Sequence, residues 1–118
     1  MIMKFVSDEH KKFYEENQSI TSMGIDFEAL VYTIGINADC RKHFSHMYNN
    51  NTRCIISDAL HEGWQTGASR RITRLAFNLF TWSIAEGDNP DMYCPKNLFY
   101  CLDHIHRQGV LLALEYFA

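Results

Sequence analysis

The stretch Ala68-Ser69-Arg70-Arg71-Ile72-Thr73-Arg74-Leu75-Ala76-Phe77-Asn78-Leu79-Phe80-Thr81-Trp82-Ser83-Ile84-Ala85-Glu86 decides the fold class. Ile72, Leu75, Ala76, Leu79, Phe80 and Ser83 recur at spacings of three and four, which makes one mostly apolar helix face. Arg70, Arg71, Arg74 and Asn78 fall on the other side, so the helix has one face for a core and one for water. Gly87-Asp88-Asn89-Pro90 breaks it. The spacing predicts a helix over residues 68–86.

The same period continues outward. Toward the C-terminus, Pro95 is suited to a first helical position because it has no amide hydrogen to satisfy. Leu98, Leu102, Ile105, Gly109, Leu112 and Tyr116 then line the core side of one last helix. Toward the N-terminus, residues 49–67 read as a short non-helical region. It holds an Asn-rich loop, a brief extended piece at Arg53–Ile56, a turn opened by Ser57 and closed by Gly63, and Trp64 in a loop. Before it, residues 38–48 read as a helix with Cys40, Phe44, Met47 and Tyr48 on one stripe. Asp26 reads as the cap of a further helix, with Ile25 and Leu30 as a hydrophobic staple; Phe27, Leu30, Val31 and Ile34 form its face and Gly35 its end. Ser7 caps a first helix to about Asn17, with Phe13 and Tyr14 facing inward. The expected architecture is an all-α compact bundle of about five helices in a single domain, residues 1–118.

Composition narrows the function classes. A chain of 118 residues that is 47% hydrophobic buries a core without staples. The formal net charge of −3 argues against non-specific nucleic-acid binding, which needs excess Lys and Arg to displace phosphate counterions. No apolar run approaches the roughly 20 residues needed to span a bilayer. The opening residues turn acidic at Asp8 and Glu9 too soon for a secretory signal, so a cytoplasmic location with reduced thiols is expected. Gly-rich phosphate loops, Gly-x-Ser-x-Gly elbows, His-Glu-x-x-His and paired Cys-x-x-Cys knuckles are all missing from the sequence.

The chain has 4 Cys and 6 His, and these residue types suit a tetrahedral zinc site. Cys101 and His104 are three apart on the predicted last helix, hence neighbours on one face. Cys54 and His61 flank the turn before Trp64. A structural zinc held by Cys54, His61, Cys101 and His104 would clip that loop onto the helix. Cys94 competes as a ligand, and Cys40, His43 and His46 form a second possible cluster. The competing reading makes each Cys a small buried apolar residue.

Arg70, Arg71 and Arg74 make a basic stripe. Guanidinium suits bidentate recognition of carboxylate or phosphate, and an ordinary solvated or acid-paired face is the alternative. Trp64 is a candidate partner anchor or a core plug. Trp82, Tyr116 and Phe117 suit either a core or a self-association face.

Leu60-His61-Glu62-Gly63-Trp64-Gln65-Thr66-Gly67, followed by Arg74-Leu75-Ala76-Phe77-Asn78-Leu79, resembles an uncharacterised family of small Firmicute and phage proteins. Its specific core is Leu-His-x-Gly-Trp-Gln-Thr. Ser7-x-Glu9-His10-x-x-Phe13-Tyr14, Tyr32-Thr33-Ile34-Gly35-Ile36 and Leu98-Phe99-Tyr100-Cys101 extend the resemblance over most of the chain. The family brings no activity to transfer; it implies a phage or mobile-element setting. By analogy with that setting, the expected function is a non-enzymatic protein that binds and inhibits a host defence factor, most concretely a CRISPR effector nuclease. Its acids Asp8, Glu9, Glu15, Glu16, Asp88 and Asp91 would occupy a basic channel, or the Trp64 loop would anchor it. The alternatives are a small nucleic-acid-binding regulator using Arg70, Arg71 and Arg74, and a metal-dependent enzyme.

Overall fold

The chain folds around a helix whose last six residues are all buried. A computed structural model describes residues 2–82, 84 and 88–118. Helix α3 (Ile25–Ile34) buries Ala29 through Ile34 without interruption. A helix apolar on all sides must sit in the middle of a core, and α6 (Gly67–Thr81) and α8 (His104–Phe117) pack against it. Around these lie α1 (Asp8–Glu16), α2 (Gln18–Thr21), α4 (Ala38–Lys42), α5 (Phe44–Met47) and α7 (Pro95–Phe99), with 3-10 turns at Ser57–His61 and Pro90–Tyr93. The sheet among the described residues has two strands, β1 (Tyr48–Asn49) and β2 (Cys54–Ile55), antiparallel with Tyr48 opposite Ile55. The architecture is all-α as expected, and no helix among the described residues is long and apolar enough to cross a membrane.

Among the described residues, eight helices replace the expected five, because two long ones break and α2 adds a further short one. Residues 38–48 divide at His43, whose Nδ1 lies 2.9 Å from the Asp39 carbonyl oxygen, and Tyr48 leaves the helix for β1. The helix expected from Pro95 onward stops at Phe99. Cys101 takes a left-handed φ of 58°, and Asp103 restarts the helix by accepting the His106 backbone N–H. A good N-cap satisfies an otherwise orphaned donor, so a new helix start here outweighs continuation. The shift changes the core side: Val110 and Ala113 are buried beside Gly109, whereas Ile105 is exposed.

At the start of α3 the expected cap is also corrected. Gly24, with φ of 144°, occupies the cap position, and Asp26 lies inside the first turn, where its charge complements the helix dipole. Ile25 points to solvent and forms no staple with the buried Leu30. Helix α6 ends at Thr81, with Trp82 as a left-handed C-cap; the continuation expected over Ser83, Ala85 and Glu86 falls outside the described residues.

Candidate functional site

The Leu60–Gly67 segment is built as a polar clasp on the start of α6. Thr66 and Ser69 form a capping box: the Thr66 hydroxyl accepts the Ser69 backbone N–H, and Ser69 accepts that of Thr66. Gln65 is buried. Its Nε2 donates to the Ala59 carbonyl at 3.1 Å and to Thr73 Oγ1 at 3.3 Å, while its Oε1 accepts from Ser69 Oγ at 2.6 Å. Cys40 Sγ joins this network, 3.5 Å from both Ser69 O and Thr73 Oγ1. Burial pushes the Cys40 thiol up to about 12, so it stays protonated and unreactive.

Trp64 closes the clasp from outside. Its ring stacks on His43 with centroids 4.2 Å apart and planes within 5°. The indole N–H donates to Glu62 Oε1 at 2.7 Å, and His46 Nδ1 reaches the same oxygen at 3.1 Å. The indole hydrogen bond is the main cause holding the Glu62 carboxyl below its ordinary range, with His46 adding to it. Half-buried and paired, Trp64 serves the packing of the loop onto α4 and α5.

The three arginines expected on a basic face are each used inside the molecule. Arg70 Nε donates to Leu60 O at 3.0 Å. Arg71 donates to Asn97 O and Gly67 O, both at 2.8 Å, and its guanidinium lies 5.4 Å from the Tyr100 ring centroid. Arg74 Nε donates to Asp88 Oδ2 at 3.1 Å, and Tyr93 OH donates to the same oxygen at 2.7 Å. Asp88, expected among the exposed acids, is thereby almost wholly buried.

No three of the four zinc candidates gather into one group. Cys54 is exposed and hydrogen-bonds to the Thr52 carbonyl; His61 is exposed at the end of its turn. Cys101 and His104 are both exposed, but the break between α7 and α8 removes the helical adjacency expected of them. Tyr48, whose strand pairs with that of Cys54, packs its ring near Phe80 in the last turn of α6, while Tyr100, beside Cys101, sits over Arg71 in the first. Nine residues of helix span about 13 Å. Cys94 occupies the cap position of α7, and of the second cluster Cys40 is buried while the His43 and His46 rings meet edge to face at 5.3 Å. Among the described residues, no three His, Cys, Asp or Glu side chains gather into a group that could hold a metal ion.

Two features lay outside the sequence expectations. His10 is fully buried: the Val6 backbone N–H donates to Nδ1 at 3.2 Å, which leaves Nε2 to donate to the Tyr32 carbonyl at 2.7 Å. A helical pattern gives no sign that this one histidine of the first helix turns inward. The other is a groove of about 340 Å³ lined by Asp26, Asn78, Leu79, Trp82, Phe117 and Ala118. Trp82 on its rim is 86% exposed. Trp82 and Phe117, aromatic residues suited to a core or to a self-association face, are its trace in the sequence.

No curated protein and no solved structure matches the chain. Residues 1–115 match the model of a family of unknown function, DUF6075, and the chain belongs to that family.

Proposed function

We propose that this chain is a non-enzymatic binding protein from a phage or mobile element that docks on a defence factor of its host and blocks it, with a CRISPR effector nuclease as the concrete target. The observation that carries this reading is a set of exposed large apolar side chains on and beside α8. Ile105 and Leu111 on its outer face, and Tyr100 just before its start, are each more than half exposed. Large apolar side chains held in water are unfavourable unless a partner covers them. The chemistry-bearing groups supply the complementary support: Cys40 is a protonated buried thiol, His10 a buried imidazole, and the arginines hold the fold's own carbonyls and Asp88. Asp8, Glu9 and Glu15 on α1 are exposed and suit a basic surface meant for nucleic acid.

The test is DNA cleavage by purified CRISPR effectors at low salt, with and without the protein. Inhibition is expected, weakened at least tenfold by Ile105→Lys with Leu111→Glu. Absence of both binding and inhibition across the effectors overturns the reading. The nucleic-acid alternative is examined in parallel by electrophoretic shift. A shift lost when Arg70, Arg71 and Arg74 are replaced would favour a regulator instead.

A further inference from the structure

We propose that two copies of this chain associate about a two-fold axis, each inserting Trp82 into the groove of the other. The groove has apolar walls, Leu79 and Phe117, and a polar lining that includes Asn78 and the exposed carboxylate of Asp26. An ionised carboxylate only accepts hydrogen bonds. A large apolar body that carries an N–H donor suits the apolar walls and the Asp26 carboxylate together, as an indole does. Trp82, on the rim of this groove, presents such a side chain.

The placement of Trp82 strengthens the match. As the C-cap of α6 it adopts φ 65°, ψ 4°. A left-handed conformation is unfavourable for a non-glycine residue, and a bulky aromatic is an uncommon choice for it. The backbone accepts this cost while leaving the indole 86% exposed. Burial against a partner recovers both.

The geometry also specifies a second copy. A two-fold interface uses the same patch on both subunits, so projection and recess must lie on one surface. Here Trp82 is itself part of the groove's lining. A projection and recess on different faces would instead build open chains. At about 340 Å³, the groove is near the small end of ligand pockets, roughly 300–1,000 Å³, suited to one large side chain. Ile25, next to Asp26, and Ile84, two residues beyond Trp82, are exposed and enlarge the apolar surface. Ile105 and Leu111 do not line this groove, so either proposal can fail alone.

Sedimentation equilibrium from about 1 µM to 0.5 mM covers affinities a small interface supplies. The wild-type chain is expected to shift from one to two copies across that range. Trp82→Ala and Trp82→Lys are expected to stay monomeric with unchanged circular dichroism, because the exposed indole supports no core. Asp26→Ala is expected to weaken association at least tenfold. In a Trp64→Phe background, Trp82 emission should shift to shorter wavelength with concentration. A single-copy mass throughout, or a dimer that survives Trp82→Lys, overturns the proposal.

Discussion

His10 shows how one side chain ties the pH response to the packing. Burial drives its pKa from 6.5 down to about 4, the Tyr32 carbonyl pulls it back in part, and Arg41 adds a smaller push downward. The unfolded chain therefore binds the proton more readily than the folded one between those values. Stability from this group is complete above about pH 6.5, falls as the pH drops toward 4, and is level below. The difference is worth roughly 3 kcal/mol at one pKa unit per 1.36 kcal/mol. Urea unfolding between pH 7 and 5 should give a declining free energy, and His10→Gln should flatten the slope. An identical slope in the variant would remove His10 from the account. Gly109 is a second single-residue constraint. A Cβ there would meet Ile36 Cγ2 at 2.7 Å and Cγ1 at 2.9 Å. Alanine gains about 1 kcal/mol of helix propensity, but overpacking costs about 1–3 kcal/mol. Gly109→Ala is expected to destabilise by roughly 1–2 kcal/mol in a denaturant titration. The sequence signals close packing at Gly109 by setting a glycine within an apolar helical stripe. It carries no comparable signal for His10, whose partners, Val6 and the Tyr32 carbonyl, are backbone groups.

At the scale of elements, periodicity was a sound guide to helix existence and a poor one to helix ends. Helix α6 follows its predicted face through Ile72, Leu75 and Ala76, all buried, because the stripe is long and one-sided. The last helix reads as continuous because Leu98, Leu102 and Gly109 keep a helical spacing and are all buried. Leu102 nevertheless reaches the core from the connection between α7 and α8, and only the Asp103 cap discloses the restart. The same connection binds to its neighbours by hydrogen bonds. Asp103 Oδ1 also lies 2.8 Å from His106 Nδ1, and His106 Nε2 meets Asn37 Nδ2 at 3.0 Å, joining α8 to the cap of α4. The basic stripe shows the limit most clearly: a sequence gives the spacing of arginines but not the carbonyls they hold. Arg74→Ala would leave the Asp88 carboxylate buried without its guanidinium partner, with the Tyr93 hydroxyl still donating to Oδ2. Removing one partner of a buried ion pair costs about 3–5 kcal/mol; with Arg74 partly exposed, roughly 2–3 kcal/mol is expected in thermal unfolding. A loss below about 0.5 kcal/mol would place the pair among surface contacts.

For the molecule as a whole, the all-α class was legible because burial patterning is a property of long segments. The candidate sites were less so, because ligand sets depend on segments far apart in sequence. Cys54 and His61 with Cys101 and His104 illustrate this: their spacings suit zinc, yet the chain between them runs past the length of α6. Elemental analysis with Cys54→Ser and Cys101→Ser tests that site directly. One equivalent of zinc, lost in both variants, would mean that the two segments close onto each other around the metal. Zinc well below one equivalent, with helicity indifferent to a chelator, would remove the metal from the account.

The buried clasp beneath Trp64 has a practical consequence. Cys40 is sealed beneath Ser69 and Thr73 while the other three thiols reach solvent at least in part. The four cysteines thus form a built-in reporter of opening. A thiol-reactive dye should modify three sites on the native protein quickly. The fourth should react only as fast as α4 lifts from α6, turning one slow labelling phase into a clock for the innermost motion of the fold.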